Sequence, residues 1–109
     1  MKEKFLILDI EKENIKILNY KLNEEESLLK IKIEENEEEA DLTGYNAKVF
    51  FQLPNEEILE FNCDIIDNKI NINIINNVLS NKGKVYFEIE LNNNIQKVTT
   101  FRHYININS

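Results

Sequence analysis

The sequence contains one cysteine, Cys63, and one histidine, His103. A thiolate and an imidazole can act together as nucleophile and base when the fold brings them into hydrogen-bonding contact. Each of them, however, continues an alternating apolar pattern of the kind that faces a protein core. The acidic neighbour Asp64 also disfavours a reactive thiolate at Cys63. We therefore predict an inert thiol, a structural histidine and no enzyme activity.

The acidic residues include one dense run, at residues 34–39, in which five of six side chains are glutamates. Calcium sites need six to eight oxygens at alternating spacing and usually a glycine at the sharp turn, and this run has neither. Repulsion between like charges predicts a solvated, mobile loop instead. The only glycines, Gly44 and Gly83, cannot form a glycine-rich phosphate loop. We predict no metal and no cofactor.

Outward aromatic side chains leave one binding function open. The alternation predicts that Phe50 and Tyr86 face away from the core and that Tyr45 lies beside a loop, and the chain has no tryptophan. Sugar sites commonly use a flat exposed ring, although single outward aromatic residues are ordinary features of protein surfaces. A small carbohydrate- or ligand-binding β-sandwich therefore remains the alternative function.

The elements that must position these side chains are strands. Apolar residues alternate with a period of two over most of the chain, in runs rich in β-branched and aromatic residues. Turn residues separate the runs at Pro54, at Asp67-Asn68 and at 92–94. Residues 76–82 lack the alternation and predict one short helical turn. The pattern predicts an all-β, antiparallel β-sandwich of about seven to eight strands. The clearest runs begin at Leu29, Val49, Leu59, Ile70, Val85 and Phe101.

Length and charge restrict the class of protein. The 109 residues are enough for one domain, 1–109, and the acidic excess of 20 against 13 gives a formal net charge of −7. This charge opposes binding to nucleic acid or to an anionic membrane. The apolar run that starts at Phe5 stops at Asp9, so it is too short for a signal peptide or a membrane span. A single cysteine excludes an internal disulfide.

The first 22 residues carry apolar side chains on both sides of their alternating pattern. A strand that is buried on both faces, or that packs against another subunit, produces such a pattern. We predict that residues 1–22 form a hairpin. Two interpretations of its apolar faces stay open: the hairpin lies across the edge of the sandwich and is covered by loops of the same chain, or it is an interface element that contacts another subunit or a partner. The candidate interface residues are Phe5, Ile7, Ile15, Ile17 and Tyr20.

The order of short motifs between residues 27 and 107 adds a resemblance. An alternating strand is followed by a turn, by a strand rich in Val and Phe, by a long Gly-Lys-Val strand with Glu-Ile-Glu-Leu at its end, and by a Thr-Thr strand. These motifs are Asp41-Leu42-Thr43-Gly44, Ala47 to Phe51, Gly83 to Leu91, Thr99-Thr100-Phe101 and Tyr104 to Ile107. In this order and spacing, the chain resembles the N-terminal domain of phage baseplate upper proteins. Pro54-Asn55-Glu56 stands where that family usually has an Asp-Gly turn.

The resemblance implies an immunoglobulin-like sandwich with a structural, non-catalytic role. Such a module belongs to a phage or prophage tail or baseplate, docks in the tail-tip assembly and holds adhesion (receptor-binding) proteins in place. Its implied partners are other baseplate or tail proteins, and a homo-oligomer is compatible with this role. The implied location is the virion, after synthesis in the cytoplasm of the host bacterium without a signal peptide.

Overall fold

The computed structural model describes residues 2–109, which form ten strands and one short helix. The strands follow the turn signals of the sequence, and the helix α1 occupies part of the predicted helical turn. The elements are β1 (Lys2–Asp9), β2 (Ile17–Lys21), β3 (Ser27–Glu35), β4 (Glu38–Glu39), β5 (Asn46–Gln52), β6 (Ile58–Ile66), β7 (Lys69–Ile74), α1 (Asn76–Leu79), β8 (Gly83–Asn92), β9 (Lys97–Thr99) and β10 (His103–Asn108). The predicted all-β class is confirmed. The structure has ten strands where seven to eight were predicted, and two of its strand pairings, β1 with β3 and β2 with β10, are parallel.

One curled sheet supplies both layers of the fold. Its strand order is β1-β3-β7-β6-β5-β8-β10-β2, with β4 paired to β3 and β9 paired to β8. Strand β6 crosses between the layers, because its first part pairs with β5 while Asp64–Ile66 pair with β7. We call β1, β3, β4, β7 and the end of β6 layer A, and the remaining strands layer B. The core lies between the layers.

The predicted alternation of buried and outward side chains is observed strand by strand. On β8 the residues from Val85 to Leu91 alternate between buried and half-buried positions, and on β3 the residues from Ser27 to Glu34 do the same. Because side chains point to opposite faces at successive positions of a strand, each layer keeps one apolar face for the core. The fully buried side chains include Phe51, Phe87, Leu29, Ile31, Ile72, Ile89 and Ile105.

The predicted hairpin over residues 1–22 is wrong, since β1 and β2 do not pair with each other. Strand β1 runs parallel to β3, with Phe5 opposite Lys30, and β2 runs parallel to β10, with Ile17 opposite Tyr104. The two strands are therefore the two end strands of the curled sheet. A tight turn can join only antiparallel neighbours, and the segment between β1 and β2 instead carries the chain from layer A to layer B.

The predicted loop at 34–39 is also wrong, because this acidic run folds as a hairpin between β3 and β4. Its tip residues, Asn36 and Glu37, have positive φ of 53° and 72°, as the two-residue turns of hairpins require. The Asp9 carboxylate accepts hydrogen bonds from the backbone N–H groups of both, at 3.2 and 2.9 Å, and from those of Glu11 and Lys12. Burial raises the pKa of Asp9, but these four donors outweigh it and hold the pKa below its usual value.

Candidate interaction surface

His103 lies in the core and is 1% exposed. Its Nδ1 accepts a hydrogen bond from the backbone N–H of Lys16 at 2.9 Å, and its ring packs against Phe87. Burial, with a smaller effect from Lys16, lowers the pKa of His103 to about 4. The imidazole is thus neutral at physiological pH and fixes the segment that leads into β2.

Cys63 is half-buried, and burial raises the pKa of its thiol to about 12. It lies on β6 while His103 lies on β10, three strand positions further along the sheet. Three strand spacings amount to roughly 14 Å, and the register adds an offset of four residues, because Cys63 is level with Leu91 of β8 whereas His103 lies opposite Phe87. The two side chains are therefore too far apart for a nucleophile and its base. Within residues 2–109, no three His, Cys, Asp or Glu side chains converge as metal ligands would. The described residues therefore assemble no catalytic constellation from these groups.

Four of the five candidate interface residues lie at the molecular surface. The exposed fractions are 65% for Phe5, 47% for Ile7, 38% for Ile15 and 48% for Ile17. Tyr20 differs: it is 2% exposed, and Ser27 donates a hydrogen bond to its hydroxyl at 3.3 Å. The parity of β2 turns Tyr20 inward, opposite the buried Ile107, so that it belongs to the core.

The two end strands meet along an open seam. The ammonium group of Lys4 on β1 donates to the carbonyl oxygen of Asn19 on β2 at 3.2 Å and lies 3.7 Å from the centre of the Tyr20 ring. No backbone ladder joins β1 to β2, so each keeps one edge without strand partners among the described residues. Because the curled sheet has one continuous outer face, the outward side chains of β1 and β2 lie on either side of this seam. We call Phe5, Ile7, Ile15 and Ile17 the seam surface.

A groove of about 370 Å³ on the layer A side of the seam surface combines apolar and basic side chains. Its apolar part is Phe5, Leu6 and Ile7 of β1. Its basic part is four lysines, which come from the segment before β2, from β3 and from β7: Lys16, Lys30, Lys32 and Lys69. We call these seven residues the basic groove. The basic groove was not predicted from the sequence, although the alternation of Lys30 and Lys32 with isoleucines predicts that both lysines face outward.

The outer face of layer B carries an aromatic row. Tyr86 lies directly opposite Tyr104 on β10 and Gln52 on β5, and the two tyrosine rings are 5.9 Å apart. The Arg102 guanidinium lies 4.4 Å from the centre of the Tyr86 ring and donates to Gln52. Phe50 and Tyr86, predicted to face outward, do so and are half-buried. Tyr104 and Arg102 were not predicted from the sequence as members of this row.

Residues 2–109 contain no helix with the length and apolar character that crossing a membrane requires.

Comparisons with known proteins agree with each other. The family model of the BppU N-terminal domain matches residues 2–109. Among solved structures, the N-terminal domain of phage TP901-1 ORF48 is similar over 100% of both chains, with a TM-score of 0.81 at 14% sequence identity. No curated protein matches the sequence. The structural likeness, at this identity, concerns the fold, whereas the family match covers nearly the whole sequence.

Proposed function

The chain belongs to the BppU N-terminal domain family and is a structural module of a phage tail or baseplate, and we propose that it docks in the tail-tip assembly and holds adhesion proteins in place. The family match over residues 2–109 confirms the resemblance to phage baseplate upper proteins. Its partners in the proposed role are other baseplate or tail proteins. The role requires no chemistry from the domain, only a rigid shape with a surface that a partner recognises.

The observation that carries this proposal is the seam surface. Phe5 and Ile7 are two large apolar side chains on the same outward face of an end strand, and Ile17 lies on the other end strand. Exposed apolar side chains that cluster in this way mark interaction sites, because each costs free energy while it stays in water. Burial of one such side chain contributes roughly 1.5–3 kcal/mol.

The fold suits such a scaffold because both ends of the sheet are available. Lys4 of β1 donates a side-chain hydrogen bond to Asn19 of β2, and Lys2 of β1 donates one to Glu24 just beyond β2. No backbone ladder joins the two strands in residues 2–109, so backbone N–H and C=O groups on their facing edges have no strand partners there. An extended segment of a partner can pair with such an edge while its side chains contact the apolar residues beside it. A stable interface of this kind buries more than about 1,000 Å² in total.

The test is incorporation of variants into phage tails. We expect the purified Ile17→Glu protein to be folded, as measured by circular dichroism and thermal unfolding. We expect tails assembled with the variant gene to lack the Ile17→Glu protein. The matched control is Ile95→Glu, at a residue that is 92% exposed in the turn before β9 and far from the seam. Incorporation of a folded Ile17→Glu protein at the wild-type level would contradict the assignment of this surface.

The alternative function, binding of a carbohydrate or another small ligand, is favoured by the aromatic row on layer B. A shallow pocket of about 90 Å³ is lined by two aromatic rings, an amide, a carboxylate and a guanidinium, which belong to Phe50, Tyr86, Gln52, Glu88 and Arg102. Arg102 already covers one face of Tyr86, which leaves less of that ring for a sugar. A glycan array would decide: binding that Tyr86→Ala abolishes would establish this function, and an array without signal would remove it.

A further inference from the structure

We propose that the basic groove binds the acidic hairpin of a second copy of this chain, so that two copies associate through the outer face of layer A. The inference rests on the proposed function, because it names the partner of the Phe5–Ile7 half of the seam surface. The Ile15–Ile17 half remains for other tail proteins. The acidic hairpin is residues 34–39, with Glu35, Glu37, Glu38 and Glu39 exposed.

The basic groove is unusual in a chain with a net charge of −7, because four lysines converge on it. Glu3 and Glu34 on its rim pair with Lys30 at 3.0 Å and with Lys32 at 3.5 Å. Of the residues that the structure describes, none forms an ion pair with Lys16 or Lys69. The groove therefore keeps a positive excess beside exposed apolar residues, and it fits an acidic segment that also covers Phe5 and Ile7.

The acidic hairpin carries negative charge that complements the basic groove. Too few lysines of the same chain lie beside it to neutralise that charge. Glu34 lies directly opposite Glu39, and Glu35 lies directly opposite Glu38. Like charges at directly opposite positions of a ladder destabilise it. Lys12, which is 2.8 Å from Glu37, is the one lysine that forms an ion pair at the tip among the described residues. Insertion of this hairpin into a cluster of lysines relieves the repulsion.

The positions of the two features permit reciprocal contact. The basic groove lies beside Lys30 and Lys32, and the hairpin tip lies about five residues further along the same strand, roughly 16 Å away. Glu39 lies opposite Glu34 and so shares the outer face of layer A with Lys30 and Lys32. In the proposed dimer the two layer A faces lie against each other in antiparallel orientation, which brings Glu39 and the hairpin tip of each copy to the groove of the other. Such an interface is self-complementary and closes as a twofold dimer.

The experiment is sedimentation velocity on the 109-residue chain at about 10 µM to about 1 mM, the range in which a moderate dimer is detected. We expect wild type to be a dimer that dissociates as salt rises, because exposed charges are screened. The groove variant Lys16→Glu/Lys69→Glu and the hairpin variant Glu37→Lys/Glu39→Lys are each expected to weaken the dimer at least about tenfold. Glu37 lies at the hairpin tip, and Glu39 shares the outer face of layer A with Lys30 and Lys32. The control Lys82→Glu/Lys84→Glu changes the charge equally, outside the groove, and leaves the dimer intact.

Mixing the two variants is the decisive step. In a mixed dimer the acidic groove of the groove variant contacts the basic hairpin of the hairpin variant. The unchanged basic groove of the hairpin variant contacts the unchanged acidic hairpin of the groove variant. We therefore expect the equimolar mixture to regain the wild-type affinity to within about threefold. A wild-type chain that stays monomeric at the highest concentration, or a mixture that stays monomeric, would overturn the inference. So would variants that dimerise as the wild type does.

The outcomes separate this inference from the proposed function. If wild type is monomeric while Ile17→Glu abolishes incorporation into tails, the docking role holds and self-association fails. If the charge-swapped mixture dimerises while tails lack the wild-type protein, self-association holds and the docking role fails.

Discussion

Acidification from pH 7.5 to pH 5 is expected to destabilise the folded protein through a single group, His103. This is the only histidine in the chain, and burial, with a smaller effect from Lys16, lowers its pKa from the usual 6.5 to about 4. An unfolded chain therefore takes up a proton near pH 6.5, whereas the folded chain takes one up only near pH 4. Between these values the unfolded state binds more protons, so stability falls as the pH falls.

The magnitude follows from the two pKa values. Proton linkage with 6.5 and about 4 gives a loss of about 2 kcal/mol between pH 7.5 and pH 5, and the loss from this group levels off below about pH 4. This is a large fraction of the 5–15 kcal/mol that is typical of folded domains. Asp9, whose pKa is lowered, adds its own loss only as the pH falls through the acidic range of carboxylates.

The assay is urea denaturation of wild type and of two variants, His103→Asn and His103→Leu, at intervals between pH 7.5 and pH 5. His103→Asn can still accept the hydrogen bond from Lys16 N–H, whereas His103→Leu keeps the apolar volume beside Phe87 and loses the acceptor. Both are expected to be less stable than wild type at pH 7.5 and to lose the pH dependence of the free energy of unfolding. A wild-type slope that persists in both variants, or an NMR titration that puts the His103 pKa near 6.5, would refute the reasoning.

Three further changes probe the fold. Thr100→Val removes the buried hydroxyl that accepts the backbone N–H of Ile89 at 3.0 Å, and we expect urea denaturation to show a loss of about 1–3 kcal/mol. Gly83→Ala forces an L-residue to a φ of +123° with its Cβ 3.3 Å from Pro54, and we expect thermal unfolding to show a loss of about 1–3 kcal/mol. Because burial raises the pKa of Cys63 to about 12, alkylation of the native protein at pH 8 should be far slower than after unfolding.

Each of these changes has a comparison that isolates its cause. Thr99→Val alters an exposed neighbour of Thr100 and should leave stability within about 0.5 kcal/mol. Gly44→Ala also places an L-residue at positive φ, +83°, but its Cβ meets nothing within 4 Å, so its loss should be the smaller of the two. Equal losses of stability at Thr100 and Thr99, or at Gly83 and Gly44, would contradict the cause given for the first residue of that pair. Equal alkylation rates of Cys63 in the native and the unfolded protein would contradict the effect of burial on its thiol.

The strands were predictable because their signal is local. In the run from Val85 to Leu91 every second residue is apolar, and burial follows that parity in the structure. The asparagine turn at Asp67-Asn68 was also predictable, since both residues adopt positive φ, 52° and 59°. Strands and tight turns depend on residues that are neighbours in the chain, so both could be inferred from the sequence alone.

Features that depend on distant residues could not be inferred. The acidic run at 34–39 becomes a hairpin partly because Asp9, far away in sequence, accepts backbone N–H groups at its tip. The parity of the first strands was ambiguous, because both parities are apolar, and only pairing with Ile107 turns Tyr20 inward. The basic groove needs four separate segments to meet, so Lys16 and Lys69 gave no signal on their own.

The parallel pairing of β2 with β10 has a consequence for the order in which the protein folds. Lys16 and His103, which are joined by a hydrogen bond at the start of this ladder, are 87 residues apart in the chain. During synthesis, β2 leaves the ribosome long before its partner exists, whereas the β5–β6 and β6–β7 hairpins can close at once. Non-local pairings of this kind slow folding, because a large loop must close before the contact forms. Leu18 and Tyr20 therefore stay exposed to water in the nascent chain. The core is complete only after β10 has been synthesised and has paired with β2.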